Sequence, residues 1–152
     1  SQSTAGKRLI MADAGALRVE VVSPERVLFT GDARQVITRT LDGGEIAFLP
    51  GHIAFLGALV ENHTRIYLSD GTVQDLAVHG GFVDVAPDHV TILSDSAELA
   101  ADIDIDRARA ALQRAEDAMR GEHDATVESA LRRAHARLAA AGGVTDARAA
   151  AH

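Results

Sequence analysis

The arginines of the C-terminal third are the residues whose type and spacing best suit ligand chemistry. Arg133 and Arg137 are one helical turn apart, so they can present two guanidinium groups towards the segment that holds Arg107. Guanidinium groups bind phosphate oxygens through paired, charge-assisted hydrogen bonds, so a cluster of them suits a polyphosphate. Arginines beside an apolar seam also commonly pair with acidic neighbours on a solvated face. The spacing alone leaves both interpretations open.

Other motifs that carry chemistry are absent from the sequence. It contains no GxxxxGK[ST] phosphate loop, no GxGxxG after a predicted strand, no GxSxG turn and no HExxH metal motif. Asp102, Asp104 and Asp106 stand at the start of a predicted helix, where carboxylates cap free N–H groups. We therefore predict no catalytic residue and no metal site. Histidines at predicted turns or strand ends are interpreted as structural or solvated: His52, His63, His79 and His89.

The segment that holds these arginines is predicted to form two helices. Every Pro, Phe and Tyr lies upstream of it, and apolar residues recur along it at steps of three and four, the pattern of amphipathic helices. The two apolar stripes are Ile105, Ala108, Leu112, Ala115 and Met119, then Val127, Leu131, Ala134, Leu138 and Ala141. Gly121 lies between the stripes, and Gly142 and Gly143 follow the second, as is typical of a connection and a helix end. We predict an antiparallel helical hairpin over 101–141 and a flexible tail over 142–152.

The first half of the chain is predicted to form strands. Short apolar and β-branched runs alternate with turn residues at fairly regular spacing, which is typical of an antiparallel all-β domain, here with about nine strands. The runs are Leu17 to Val21, Val27 to Phe29, Ala33 to Thr40, Glu45 to Leu49, Phe55 to Val60, Thr64 to Leu68, Val73 to Val78, Phe82 to Val85 and Val90 to Leu93. Gly43, Gly44 and Gly71 can adopt the positive φ of tight hairpins. We predict a small antiparallel β-sandwich or barrel over 16–100, after a flexible N-terminal segment over 1–15.

Composition narrows the functional classes. The chain has 152 residues, a formal net charge of −7 and no cysteine, so disulfide and thiolate chemistry are excluded. It lacks the run of roughly 18 apolar residues that a membrane helix needs and any secretory signal pattern, so we expect a soluble or peripheral protein. Its acidity, with arginines interleaved among acids, argues against nucleic acid as a partner.

Three runs in series resemble the epsilon subunit of rotary F-type ATP synthases. They are Ser23 to Gly31 (SPERVLFTG), Gly43 to His52 (GGEIAFLPGH) and His79 to Val85 (HGGFVDV). Their order and spacing, with the helical hairpin that follows, match this family over about 17–138. The resemblance implies an N-terminal antiparallel β-sandwich of about ten strands and a C-terminal antiparallel helical hairpin. The spacing of apolar and turn residues independently predicts the same architecture.

The resemblance also implies a rotor subunit that does no chemistry of its own. In this family the sandwich binds the gamma subunit and rests on the ring of membrane c subunits, which couples proton-driven rotation to ATP synthesis. The implied location is the cytoplasmic face of a bacterial plasma membrane, with membrane contact only through the complex. The residues expected at this rotor interface are Leu49, Pro50, Gly51, His52, Gly80, Gly81 and Phe82.

The hairpin is implied to be a mobile regulatory arm. In the family it alternates between a compact form folded on the sandwich and an extended form that reaches the catalytic alpha and beta subunits and inhibits ATP hydrolysis. The stripes are largely alanine, whose methyl group buries little area at ~25 cal/mol per Å², so weak packing is expected. Alanine also favours helices that persist when released. A permanently docked strut is the alternative.

The run from Ile103 to Ala108 (IDIDRA) matches the [IL]DxxRA motif with which some bacterial epsilon subunits bind ATP. No cofactor is required by this interpretation. ATP is a candidate regulatory ligand, and we expect it to favour the compact form. The resemblance places the ATP site at Glu98, Ile103, Asp104, Arg107, Ala108, Arg114, Arg133 and Arg137.

Two alternatives come from other functional classes. One is a small nucleotide-metabolising enzyme built on the arginine cluster, although no Mg²⁺ cage, general base or phosphate-cradling glycine loop is evident. The other is a nucleotide-sensing or adaptor module without a rotor role. Phosphate release from ATP would favour the first, and failure to co-purify with gamma subunit or c-ring would favour the second.

Overall fold

The computed structural model describes residues 15–121 and 124–150, with side chains described as far as residue 142. The predicted flexible segment therefore lies outside the described residues, apart from Gly15. The strands are β1 (Leu17–Val22), β2 (Val27–Thr40), β3 (Gly44–Phe48), β4 (Phe55–Leu68), β5 (Val73–Ala86), β6 (His89–Ser94) and β7 (Ala97–Leu99). A 3₁₀ turn at Ala100–Asp102 leads into helix α1 (Ile105–Met119) and then α2 (Ala125–Ala150).

The strands close into a barrel-like sandwich. Their order is β1-β6-β5-β4-β2-β3, and β1 also pairs with β2 to complete the ring. The pairings are antiparallel as predicted, except that β1 and β6 are parallel. Side chains at alternate positions fill the core; Leu17, Val19 and Val21 are fully buried, whereas Arg18 between them is exposed.

The long strands differ from the prediction in extent. β2, β4 and β5 each have 14 residues and each covers two predicted runs, whereas the short β7 was not predicted. Polar residues and glycines at the predicted breaks interrupt the apolar pattern but not the backbone ladder. β2 continues through register shifts against β4, and β5 continues through two glycines with positive φ. The strands therefore continue across the positions where the sequence predicted that they end.

Gly81 is the tightest point of β5. Its φ is +110°, and a Cβ atom there would lie 2.1 Å from the carbonyl oxygen of Leu93 and 2.7 Å from Cα of Ser94. Ser94 is the β6 partner of Gly81, so neither backbone can move without disturbing the ladder. Only glycine fits this contact.

The helices form the predicted hairpin. Asp104 is the N-cap of α1, as predicted, and its carboxylate accepts a hydrogen bond from the backbone N–H of Arg107 at 3.1 Å. Asp102, in contrast, lies in the preceding 3₁₀ turn and caps neither helix. None of the helices within the described residues is long and apolar enough to cross a membrane.

The end of the second helix differs from the prediction. Gly142 and Gly143 do not terminate α2, which continues to Ala150. A glycine inside a helix costs about 1 kcal/mol relative to alanine, and the alanine-rich sequence around this pair favours helix strongly enough to continue through it. Residues 151–152 of the predicted flexible tail lie outside the described part.

Helix α2 lies on an outer face of β4 and β5. Opposite residues of paired strands point to the same side, and the pairs Glu61 with His79, His63 with Ala77, and Ala77 with Glu98 lie under this helix. We call Glu61, His63, His79 and Glu98 the polar face. The apolar part of the contact consists mainly of small side chains: Ala77, Ala100, Ile103, Ala108, Ala136, Ala140, Ala141 and the partly buried Leu138.

Candidate functional site

A cleft of about 310 Å³ lies where β7, the segment before α1 and the two helices meet. Its lining residues are Glu98, Asp102, Ile103, Asp104, Arg107, Ala108, Ala111, Arg114 and Arg137. A second cleft of about 350 Å³ between the helices shares Arg114 and Arg137 with the first and includes Arg133. The structure therefore places every predicted ATP-site residue along two adjoining clefts.

The wall of the first cleft is fixed by the start of α1. Ile103 and Ala108 are buried in the apolar contact with α2, so they anchor the loop and the first turn of the helix. Asp104 between them is held by its cap bond, and Arg107 extends from the same turn with an exposed side chain. In the [IL]DxxRA motif, the buried residues Ile103 and Ala108 therefore anchor the segment, and Asp104 and Arg107 between them are polar.

Glu98 is the centre of the cleft's hydrogen bonding. Its Oε2 accepts one bond from Nε2 of His79 at 2.9 Å and one from Nε of Arg137 at 2.6 Å. The bond from His79 lowers the pKa of Glu98 to about 2, with help from Arg137 and against partial burial, which alone would raise it. Glu98 is therefore an anion at neutral pH. Arg137 uses only Nε in this bond, so its Nη groups remain available to a ligand.

The other arginines lack acidic partners within the described residues. Arg107 and Arg114 make no side-chain hydrogen bond or ion pair there, and Arg133 donates only to the hydroxyl of Ser129, at 2.7 Å. Arg109, one turn away from the cleft residues, instead forms an ion pair with Asp106. Arg107, Arg114 and Arg133 therefore line the clefts without a direct ion pair to a carboxylate among the described residues.

The predicted rotor residues occupy two parts of the sandwich. Residues 49–52 form the turn between β3 and β4, which the N–H of Gly51 ties to the carbonyl oxygen of Pro87 in the β5–β6 turn, at 2.8 Å. The ring of His52 lies against Phe48, with centroids 5.0 Å apart. Gly80 and Gly81 instead shape the middle of β5, next to Phe82.

Phe82 belongs to an exposed apolar surface that the sequence analysis did not delimit. It is 54% exposed and lies opposite Leu93, which is 51% exposed, and opposite Ala58 on β4. Leu56, two positions before Ala58 on the same side of β4, is 71% exposed. We define the exposed apolar surface as Leu56, Phe82 and Leu93. Contiguous patches of this kind mark interaction sites more often than single exposed side chains do.

Sequence reasoning interpreted His79 as structural or solvated at a strand end. It is buried, in keeping with a structural role, but it lies inside β5, and its bond to Glu98 was not predicted. The contact depends on the pairing of β5 with β7, and no local pattern signals it. Within residues 15–121 and 124–150, no cluster of three or more His, Asp or Glu side chains could hold a metal ion.

The fold and these clefts define a class of small subunits in which a β-sandwich carries a C-terminal helical hairpin. The model of the ATP synthase delta/epsilon chain β-sandwich domain matches residues 16–100. The model of the long α-helix domain of the same chain matches residues 101–142. The chain therefore belongs to the ATP synthase delta/epsilon family, and its similar relatives are epsilon chains.

Two relatives show the extent of this similarity. The ATP synthase epsilon chain of Halalkalibacterium halodurans is 42% identical over 132 residues, which covers 83% of this chain and 97% of the relative. That of Thermobifida fusca is 44% identical over 135 residues, covering 86% and 96%. In a cryo-EM structure of Euglena gracilis mitochondrial ATP synthase, a chain matches with a TM-score of 0.64 at 20% identity. That match covers 91% of this chain and 82% of the other, and it shows the fold.

The depressed pKa of Glu98 predicts a pH dependence of stability. The pKa falls from an ordinary 4.5 to about 2 on folding, so the stabilisation is complete above pH 4.5 and is lost as the pH falls towards 2. We expect the parent to be more stable than Glu98→Gln at neutral pH, with the difference shrinking between about pH 5 and pH 2.5. Urea unfolding of both proteins across this pH range measures the difference in their free energy of unfolding. A difference that is independent of pH would contradict the assignment.

Proposed function

We propose that this chain is a central-stalk rotor subunit whose hairpin binds ATP while docked on the sandwich, as a regulatory ligand and without catalysis. The observation that carries the ATP proposal is the set of unneutralised arginines along the adjoining clefts, beside Arg137 held by Glu98. Charge-assisted guanidinium bonds are the ordinary protein partners of phosphate oxygens. The alternative is surface ion pairing. Among the described residues, no ion pair involves Arg107, Arg114 or Arg133, so these arginines do not support it.

The carboxylates that line the cleft suit the nucleoside part of such a ligand. Glu98 and Asp104 carry carboxylate oxygens, which accept hydrogen bonds from amino and hydroxyl groups and repel phosphate. Arg107, Arg114 and Arg137, which line the same cleft, offer the opposite charge. A molecule with an anionic end and a hydrogen-bond-donating end is therefore a better match than inorganic phosphate. The volumes of both clefts fall in the range of small-molecule sites, roughly 300–1,000 Å³.

ATP in this cleft would stabilise the compact form. The lining residues come from β7, from the loop before α1 and from both helices, so the complete site exists only while the hairpin is docked. A ligand that binds one state shifts the equilibrium towards that state by its differential affinity. Low ATP would then release the hairpin to an extended form that reaches the catalytic alpha and beta subunits and inhibits ATP hydrolysis.

The contacts that hold α2 to the sandwich are compatible with such release. Beyond alanine packing, Glu61 accepts bonds from Ser129 at 3.2 Å and from Arg132 at 2.8 Å, and Glu98 accepts one from Arg137. Burial alone would raise the pKa of Glu61, but these donors lower it overall, so the carboxylate stays charged. Water can replace each of these polar contacts when the helix leaves.

The rotor proposal rests on the sandwich. We assign the exposed apolar surface to the gamma subunit and the neighbouring 49–52 turn to the rotor interface with the c-ring, which would couple proton-driven rotation to ATP synthesis. Leu49 in this turn is 52% exposed, as an interface residue must be before assembly. The complex would hold the chain at the cytoplasmic face of a bacterial plasma membrane.

Phe82→Asp tests the rotor proposal. Because the ring is exposed, the substitution should leave folding intact, whereas a carboxylate in an apolar interface should weaken binding to purified gamma subunit by roughly tenfold or more. Biosensor measurements with the full chain give the affinity. Val73→Asp is the matched control, since Val73 is also exposed but lies at the other end of β5, opposite Tyr67. Parent-like binding by Phe82→Asp would refute the assigned surface.

Calorimetry with ATP tests the nucleotide proposal. We expect saturable binding to the full chain, weakened roughly tenfold or more in Arg107→Ala and in Arg133→Ala, because each loses charge-assisted phosphate contacts. ADP should bind more weakly than ATP.

Arg109→Ala is the control for that experiment. It removes the same charge from α1, the helix that carries Arg107, but from a side chain paired with Asp106 and outside both clefts. Equal losses in all three variants would mean that net charge, and not the cleft, governs affinity. No binding by the parent would overturn the ATP proposal and leave the rotor proposal standing.

A further inference from the structure

His79 is a buried histidine whose side chain makes a single hydrogen bond among the described residues. Its side chain is 3% exposed, and Nε2 lies 2.9 Å from Oε2 of Glu98. A carboxylate only accepts, so Nε2 carries the proton of this bond. The other ring nitrogen, Nδ1, is buried without a hydrogen-bond partner among the described residues. The bond to Glu98 is therefore the one hydrogen bond of this imidazole within the described residues.

The charged side chains next to His79 and Glu98 leave the bond between these two residues intact. Glu61 lies opposite His79 on β4, but its oxygens accept bonds from Ser129 and Arg132 of α2. From α2, Arg137 reaches the same Glu98 oxygen as His79 does, at 2.6 Å. Glu98 is thus held from two sides, by the sandwich through His79 and by the hairpin through Arg137.

These contacts form a chain that ends at the proposed phosphate-binding group. His79 fixes the carboxylate of Glu98, and Glu98 binds only Nε of Arg137. The planar guanidinium is thereby oriented with its Nη groups free, and an arginine oriented in advance loses less rotamer freedom when phosphate binds.

We propose that His79 is a positioning residue of the nucleotide site, which acts through Glu98 to orient Arg137 for the phosphates. The inference rests on the proposed ATP binding. It adds that the sandwich takes part in nucleotide affinity through a side chain that does not line the cleft. His79 belongs to a strand of the sandwich and not to the hairpin that carries Arg137.

His79→Leu tests the inference by removing the donor at similar volume. We expect the ATP dissociation constant of the full chain to rise roughly tenfold, and His79→Gln, whose amide is again a donor, to recover part of the loss. His63→Leu is the matched control. His63 also donates to a carboxylate, that of Asp75 at 2.5 Å, but neither residue lines the ATP clefts. Its substitution should leave the ATP affinity unchanged.

Coupling to Glu98 and Arg137 separates positioning from general stability. In an Arg137→Ala background, His79→Leu should cost little further affinity, because the residue on which it acts is gone. Additive losses, or equal losses in His79→Leu and His63→Leu, would overturn the inference. If the parent binds ATP and His79→Leu binds equally well, the inference fails while the proposed function stands. If the parent does not bind ATP, both fail.

The protonation of the ring provides a measurement on the unaltered fold. Long-range ¹H–¹⁵N spectra of the labelled parent should show His79 with a protonated Nε2, and its Nε2 proton resonance should shift strongly in Glu98→Gln. A ring protonated only at Nδ1, or an Nε2 proton resonance that is unchanged in Glu98→Gln, would overturn the inference even if His79→Leu failed to fold.

Discussion

The two bonds on Glu98 Oε2 are the interaction on which the rest of this molecule depends. They join a buried histidine of β5 to an arginine of α2 through a carboxylate on a three-residue strand, so one oxygen links the sandwich, the hairpin and the cleft between them. Because both donors reach the same atom, the carboxylate stays ionised, with its pKa lowered to about 2. An anion fixed at this junction orients the guanidinium group of Arg137.

The weakness of the remaining contact is what the proposed release of the hairpin requires. A helix that rests on a polar face through alanines buries little apolar area, and its ion pairs exchange readily for water. The sandwich core, in contrast, is closed by strand pairing and by large side chains such as Phe48 and Ile66. Docking can therefore respond to a ligand in the cleft while the sandwich keeps the shape that a rotor contact requires.

The sequence predicted the parts of this fold that local patterns encode. Alternation at Leu17, Val19 and Val21 predicted a strand correctly, and apolar steps of three and four predicted both helices. It did not predict that Ala136 faces the sandwich, since alanine lies on several sides of α2 and carries little directional information. Nor did it predict the bond from His79 to Glu98, which strand pairing creates across 19 residues. The proposed nucleotide-binding residues came from resemblance to a family motif, and the fold places them along adjoining clefts.

The central claim is that ATP holds a releasable hairpin on the sandwich, and a distance measurement tests it most directly. The chain has no cysteine, so spin labels can be placed at Ser69→Cys on the sandwich and Glu116→Cys on α1, both exposed positions. Pulsed electron resonance should give one narrow distance with saturating ATP and a broader, longer distribution without it. A single distance that is the same with and without ATP would contradict this account and identify the hairpin as a permanently docked strut.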